Sequence, residues 1–374
     1  MDLVLPDDDD PRRQAVQAWL AANPAPTGRQ LAEAGYVVPH WPQPWGLDAD
    51  PIMQLIIDEE LKRAGVRRPV NPIGIGWAGP TLLRAGTSVQ KERWLWPLLA
   101  GEAIWCQLFS EPEAGSDLAS LTTVAVLDGD EWVVSGQKVW TSLAHIARFG
   151  ILLARTDRQA PRHRGISYFV CPMDAPGVHV RPLVDMTGAH AFNEVFFDDV
   201  RIPTDHLIGV VNHGWDLAKV TLANERVSLS AEGALWGRGP TAQDLVGLIR
   251  RSGGSGDAVL RQRLAAVWAE GDVLSTLRQR QTLGAAAGRA RGPEPSVRKA
   301  LADAHGQHLM NLGRDLAGPF GMLAGTGPTS AADQEWSQGF LYSPALTIGG
   351  GTAEVQRNIV AEQILGLPRD SIPT

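Results

Sequence analysis

Trp105-Cys-Gln-Leu-Phe-Ser-Glu-Pro-Glu-Ala-Gly-Ser-Asp-Leu118 opens as a strand and ends in a loop of small and acidic residues. Such a loop exposes hydroxyls, at Ser110 and Ser116, and backbone N–H groups, which together suit a phosphate or the polar edge of a ring. Taken alone, a Gly-Ser loop is more often a plain turn. Its position matters more, because the chain changes texture here. Upstream, helical spacing recurs between Pro- and Trp-rich turns: Pro11 to Ala22, then Pro51 to Ala64 with Ile52, Leu55, Ile56 and Leu61 near the 3.6 period, then Pro80 to Ala85 and Gln90 to Leu99. Downstream come short extended runs: Thr122 to Leu127, Glu131 to Val134 after an Asp128-Gly-Asp130 turn, Phe149 to Arg155, Ile166 to Cys171, Val178 to Val184 and Asn193 to Val200.

From about residue 213 the pattern turns helical again. Trp215 to Leu235 reads as one long segment and Arg250 to Gly256 as a flexible loop. Ala258 to Ala287 and Pro295 to Leu316 are long helical segments, and Ala353 to Leu365 is a last helix stopped by Gly366-Leu-Pro368. The organisation is therefore helical over 1–104, β over 105–212 and helical over 213–374.

Composition narrows the function classes. The 374 residues are 44% hydrophobic and 20% charged, with a formal net charge of -7. This is ordinary for a globular protein, and nucleic acid and anionic membranes are not default partners. No run approaches the ~20 apolar residues of a membrane span, and the acidic start, Met1 to Arg13, lacks the pattern of a signal peptide. A cytoplasmic protein is the expectation. Cys106 and Cys171 and the nine histidines show no metal-ligand spacing, so no metal is expected. Lys62-Arg63 and Arg67-Arg68 read as a solvated helix face or turn rather than a binding patch.

A second segment, Ser135-Gly-Gln-Lys-Val-Trp-Thr-Ser142, sets a flat indole beside two hydroxyls, a combination that can pack on and hydrogen-bond a planar heterocycle. A buried structural tryptophan is the plainer alternative for the segment alone. The order of four motifs is more specific: Glu111 to Asp117, Gly136 to Ser142, Asn193-Glu-Val-Phe-Phe-Asp-Asp-Val-Arg-Ile-Pro203, and Gly349-Gly-Gly-Thr-Ala-Glu-Val-Gln-Arg-Asn358. In order and spacing they resemble the acyl-CoA dehydrogenase family over roughly residues 50 to 370. The resemblance implies an α+β fold with an N-terminal helical domain, a middle β-barrel-like domain and a C-terminal four-helix bundle. It also implies a bound FAD, an acyl-CoA substrate, an electron-transfer flavoprotein as acceptor, and a homo- or hetero-oligomer, dimer or tetramer.

Residue by residue, the resemblance places Gln107, Phe109, Ser110, Trp140, Thr141 and Ser142 at the flavin ring. It places Ser116 near the phosphate-bearing arms of FAD and CoA, Thr352 and Glu354 near the adenine half, and Arg226 and Gly351 at the substrate. Asp315 to Pro319 matches a loop that touches a neighbouring subunit's FAD. The implied reaction removes the α proton of the acyl thioester to a carboxylate and passes the β hydride to the flavin, while the N–H of Gly350 supports the enolate-like oxygen.

Two departures from the family pattern stand out. Many members carry the catalytic glutamate at the position of Gly350, which has no side chain. Isovaleryl-CoA and long-chain acyl-CoA dehydrogenases place it instead on the long helix after the β domain, where this chain has Leu222-Ala-Asn-Glu-Arg-Val227. Glu225 is therefore the expected base, Glu232 the reserve, and Glu111 and Glu354 weaker candidates. On a helical wheel Glu225 falls beside Ala218 and Leu229, in surroundings that would raise a carboxyl pKa, while Lys219 and Arg226 share a polar side. A carboxylate paired with an arginine or facing solvent is the alternative. The second departure is Arg251-Ser-Gly-Gly-Ser-Gly256, where the family carries an Arg-x-Thr-Phe-Gly-like motif reaching the partner's FAD. Arg251 can still meet a pyrophosphate. The Thr and Phe contacts are gone, which fits a mixed tetramer of two kinds of subunit. Three functions follow in order: an FAD-dependent acyl-CoA dehydrogenase; a non-catalytic or half-site subunit of a heteromeric one; and a related flavin oxidase or monooxygenase. A bulky acyl group is a mild preference.

Overall fold

Helix α1 (Pro11–Ala22) begins where the Asp10 carboxylate accepts the N–H of Arg12 and Pro11 fills the first turn, where its missing N–H costs nothing. The computed structural model describes residues 6–229, 235–236, 239–251, 256–286, 292–319 and 331–369. The same logic of caps sets α2 (Gly28–Glu33), α3 (Pro51–Arg63), α4 (Gly79–Ala85) and α5 (Ser88–Leu99): Thr27 and Thr87 each close a capping box with a glutamine, and Asp50 caps α3. Arg13 is fully buried and pairs with Glu60 and, at 2.8 Å, with Glu59 of α3. Arg63 joins this network through Asp8 and Glu59, and Arg68 pairs with Asp58, so these basic residues are local ion-pair partners.

Eight strands form one sheet among the described residues: the six extended runs, the strand that opens the Trp105 segment, β1 (Trp105–Leu108), and one short strand that was not expected, β8 (Leu207–Ile208). Between them lie β2 (Val124–Asp128), β3 (Glu131–Lys138), β4 (Phe149–Arg155), β5 (Ile166–Pro172), β6 (Val178–Leu183) and β7 (Phe192–Pro203). The order is β6-β7-β3-β2-β4-β5-β8, with β1 parallel to β4 and Cys106 opposite Gly150. Period-two alternation divides the side chains between two cores. Trp105, Ile151, Leu153, Tyr168 and Val170 pack with the N-terminal helices. Cys106, Leu108, Leu152, Phe169 and Cys171 turn the other way and meet Val134, Val195 and Val200 of β3 and β7, so the sheet curls around its own interior. The pairing of β3 with β7 shifts between Val134 and Gly136, where β7 carries one residue more; Gly136 there has φ of +151° and a Cβ on it would lie 2.5 Å from the Thr123 hydroxyl, so only glycine fits.

The chain then forms α6 (Gly214–Leu229), α7 (Ala242–Arg251), α8 (Ala258–Ala286), α9 (Glu294–Ala317), α10 (Ala331–Tyr342) and α11 (Ala353–Ile359). Helix α7 corrects the expected loop at residue 250. Its strongly one-sided apolar face buries Leu245, Leu248 and Ile249, which carries the helix through Arg250 and Arg251 before any loop can begin. Close approach of α9 and α10 is fixed by Gly313, whose missing Cβ is occupied by the Trp336 ring. Two compact units result: Met1–Asp185 with His190–Asn224, and Met186–Ala189 with Glu225–Thr374. The boundary falls within α6. Among the described residues no helix is long and apolar enough to cross a membrane, and no group of three His, Cys, Asp or Glu side chains could hold a metal ion.

Candidate functional site

In the first unit the two glycine- and serine-bearing motifs are tied together by a buried ion pair. Lys138 ends β3 in the inward register of Trp132 and Val134, fully buried. Its ammonium donates to the Phe109 carbonyl at 3.0 Å and to the Glu111 carboxylate at 2.8 Å. Glu111 also accepts from the Thr122 N–H, the Thr122 hydroxyl and the Thr123 N–H at 2.6, 2.7 and 2.9 Å. Burial alone would raise the Glu111 pKa, but Lys138 and these donors outweigh it and hold the carboxyl down at about 2. Burial pulls Lys138 down to about 8, still charged at neutral pH. The Val139 N–H adds a bond to the Ser110 carbonyl at 2.9 Å. Glu111 is thus a fixed structural anion, unsuited to take a proton.

Beyond this clamp the chain makes an unusual turn. Trp140 has φ of +59°, sparsely populated by non-glycine residues, and its indole is 60% exposed, edge-on to Phe192. Thr141 is held from behind: its N–H and carbonyl pair with the backbone of Asn193 at 3.0 Å each, and the Asn193 amide donates to the same carbonyl at 2.9 Å. The Thr141 hydroxyl is buried without a partner. An exposed flat ring beside an unsatisfied buried hydroxyl is the donor set expected of a surface that completes itself with a planar heterocycle, so these residues fit a flavin. Ser142 follows, half-buried. Gln107 is half-buried on β1, and Phe109 is buried edge-on to Tyr168. Ser116 is exposed on a loop anchored by Arg155, which donates to the Ala119 and Leu121 carbonyls.

A buried chain of hydroxyls anchors the middle of α6: Thr221 lies 2.8 Å from the Thr81 hydroxyl and 3.0 Å from that of Tyr168. Glu225 lies one turn further on the same helix face. In the second unit, Glu225 is buried, 8% exposed. Arg226 is not the solvated neighbour of Lys219 that the helical wheel suggests. Lys219 is exposed and pairs with Asp216 at 2.7 Å, whereas burial pulls the Arg226 guanidinium below its ordinary range and the Glu225 charge opposes that. The candidate base therefore has a cationic neighbour, so its surroundings are not purely apolar. Glu232 lies outside the described residues.

Gly350 and Gly351 have φ of +67° and +91°, which glycine adopts without steric cost, whereas a side chain at either position would add backbone strain. Buried Gln356 donates to both of their carbonyls, at 3.2 and 3.3 Å. Thr352 caps α11 by accepting the Val355 N–H, and Glu354 is exposed beside Arg357, a poor position for a base. Arg251 is exposed in the last turn of α7. Sequence inspection gave Lys138 and Asn193 no role of their own. The signal was there for Lys138, a lysine placed in the period-two register of buried apolar residues.

Comparison with known proteins agrees with this architecture. Family models described as acyl-CoA dehydrogenase N-terminal, middle and C-terminal domains match residues 10–102, 106–200 and 212–365. The chain is 41% identical over 360 residues to the acyl-CoA dehydrogenase FadE34 of Mycobacterium tuberculosis, covering 96% of this chain but 48% of that protein, about half its length. It is 40% identical to the acyl-CoA dehydrogenase IpdE1 of the same organism, over 92% of this chain and 88% of that one. Among solved structures, the Tcur3481-Tcur3483 steroid acyl-CoA dehydrogenase superposes with a TM-score of 0.80 at 29% identity, covering 99% of this chain and 100% of that one. The ChsE4-ChsE5 complex from Mycobacterium tuberculosis gives 0.76 at 28%, covering 99% and 100%. The chain belongs to the acyl-CoA dehydrogenase family, whose members are flavoprotein oxidoreductases of lipid metabolism acting on acyl-CoA thioesters.

Proposed function

We propose that this chain is an FAD-dependent acyl-CoA dehydrogenase subunit that introduces the α,β double bond into a bulky acyl-CoA, with Glu225 as the base. The observation that carries the assignment is a paired one: Gly350 has no side chain and a left-handed backbone, while a buried carboxylate stands at Glu225. FAD, when bound, supplies the acceptor for the β hydride. Trp140 offers it a face and Thr141 a hydroxyl, on a platform set by Lys138 and Glu111. Glu225 takes the α proton, Arg226 lies beside it, and the Gly350 N–H donates to the thioester oxygen as charge develops there.

The relatives suggest the acyl group and the assembly. The solved neighbour is described as a steroid enzyme, so polycyclic acyl thioesters belong first in a substrate panel. That neighbour and the ChsE4-ChsE5 complex each pair two chains. With Arg251 at an exposed helix end and no aromatic after it, this supports a second non-identical subunit that completes FAD binding. An electron-transfer flavoprotein is the proposed acceptor, and oxygen consumption during turnover would instead mark an oxidase. Cys106 and Cys171 are buried, unbridged thiols, which is compatible with the proposed cytoplasmic setting.

The test is the visible spectrum of Glu225→Gln, alone and with the partner subunit, under anaerobic addition of acyl-CoA. Bound flavin should be retained while its bleaching slows by ~100-fold to 10,000-fold. Bleaching at the rate of the unaltered protein would remove Glu225 from the role.

A further inference from the structure

Helix α9 packs a polar stripe where its neighbours are apolar. Lys299, Asp303 and Gln307 follow one another at intervals of four residues and so lie on one face. Lys299 is fully buried and Asp303 nearly so. Burying such groups costs several kcal/mol unless each is well partnered, so what they hold is informative. The Lys299 ammonium donates to Asp303 at 2.6 Å and to the Leu346 carbonyl at 3.2 Å. The Gln307 amide donates to the Ser343 carbonyl at 3.3 Å and to the Thr347 hydroxyl at 3.2 Å. Both side chains therefore grip one short turn, Ser343–Thr347, from the same helix face. That turn ends at the glycine loop: the Gly349 N–H donates to the Ala345 carbonyl at 2.9 Å. The loop is held on its far side by Gln356, through the carbonyls of Gly350 and Gly351, and a Cβ on Gly349 would strike the Trp236 ring at 2.6 Å.

We infer that Lys299 and Gln307, with Asp303 setting the lysine, are positioning residues that aim the Gly350 N–H at the thioester oxygen. This rests on the function proposed above for Gly350. A donor on two glycines in left-handed backbone has no side-chain packing of its own to fix it, so its direction is imposed from α9 and Gln356. None of these residues touches the reacting atoms. Their removal should lower kcat while leaving KM nearly alone, because the donor's value lies in the charge that develops during reaction.

The probe is crotonyl-CoA, a short 2-enoyl-CoA, carrying 13C at the thioester carbonyl. It is bound to the flavin-loaded protein, with its partner subunit where flavin loading requires one, and read by isotope-edited infrared difference spectroscopy. Hydrogen bonding from Gly350 moves the carbonyl band of the unaltered protein to lower wavenumber than that of the free ligand. In Lys299→Met and Gln307→Leu the band should return most of the way, with kcat lower by ~10-fold or more and KM changed by less than ~3-fold. Amide exchange over residues 349–352 should quicken in both variants. If either variant keeps the native flavin spectrum together with the full carbonyl shift, the inference is overturned, and Gln307→Leu decides should Lys299→Met not fold. If the unaltered protein shows no shift, the role of Gly350 itself fails and this inference falls with it.

Discussion

The two units each bury a lysine–carboxylate pair, and the two carboxyls titrate in opposite directions. In the β-rich unit Glu111 takes Lys138 and three further donors from Thr122 and Thr123, and its pKa falls to about 2. In the helical unit Asp303 faces Lys299, burial prevails, and its pKa rises to about 6. The ammonium distances are alike, 2.8 and 2.6 Å. The neighbouring donors therefore decide, because a buried charge is tolerated in proportion to the hydrogen bonds that replace its water. The first pair is a permanent clamp beneath Trp140 and Thr141. The second has a low-cost neutral form.

Removing the lysines should separate the two most clearly. Lys138→Met leaves a buried carboxylate without its countercharge, held only by the Thr122 and Thr123 donors, and should cost about 3–5 kcal/mol, with loss of bound flavin. Lys299→Met lets Asp303 take up a proton and should cost roughly 1–3 kcal/mol. Chemical unfolding of the two variants measures this, and equal losses would break the comparison.

The pH dependence of stability sharpens it, with opposite signs. The depressed pKa of Glu111 gives stability that is present above its ordinary value of 4.5 and is lost as pH falls from there toward about 2. The raised pKa of Asp303 does the reverse: the folded state binds the proton more tightly, so stability falls as pH rises from the ordinary 3.8 through about 6. In urea unfolding between pH 2.5 and 7, Glu111→Gln should flatten the acid limb and Asp303→Asn the fall across pH 4 to 6. A variant that leaves its own limb unchanged refutes that assignment.

Two smaller effects test the platform over the first pair. Trp140→Ala removes an exposed ring and should change stability by less than ~1 kcal/mol while weakening flavin binding by ~10-fold. Thr141→Val removes a buried hydroxyl that has no partner, so the protein without flavin should be no less stable, and flavin affinity should fall by only ~3-fold to 10-fold. A Thr141→Val variant much less stable without flavin would mean that the hydroxyl serves the fold instead. Flavin titration followed by fluorescence quenching reads both.

Much of this was legible in the chain itself. Helical spacing gave α1, α3, α8 and α9 almost to the residue, and the first two begin at local caps: Asp10 with Pro11 for α1 and Asp50 for α3. The runs at β4 and β5 stood out because both faces are buried and the apolar sequence is unbroken. Short β1 and β8 are held mainly by pairing to β4 and β5, partners distant in sequence, so local pattern did not reveal β8. Helix α7 was missed because the basic pair at its end looks like the start of a loop.

By itself the sequence determined the fold class, the family, the glycine vacancy at Gly350 and the carboxylate offered at Glu225, since these rest on residue identity and order along the chain. Only the tertiary structure decided which charges are clamps. The alternation along β3 places Lys138 on the inner side, but the partners of Lys138, and those of Lys299, Asp303 and Gln307, are set only when distant segments close over them. A buried charge takes its role from partners the fold delivers: Glu111 from Thr122 and Thr123, Lys299 from a turn 47 residues away.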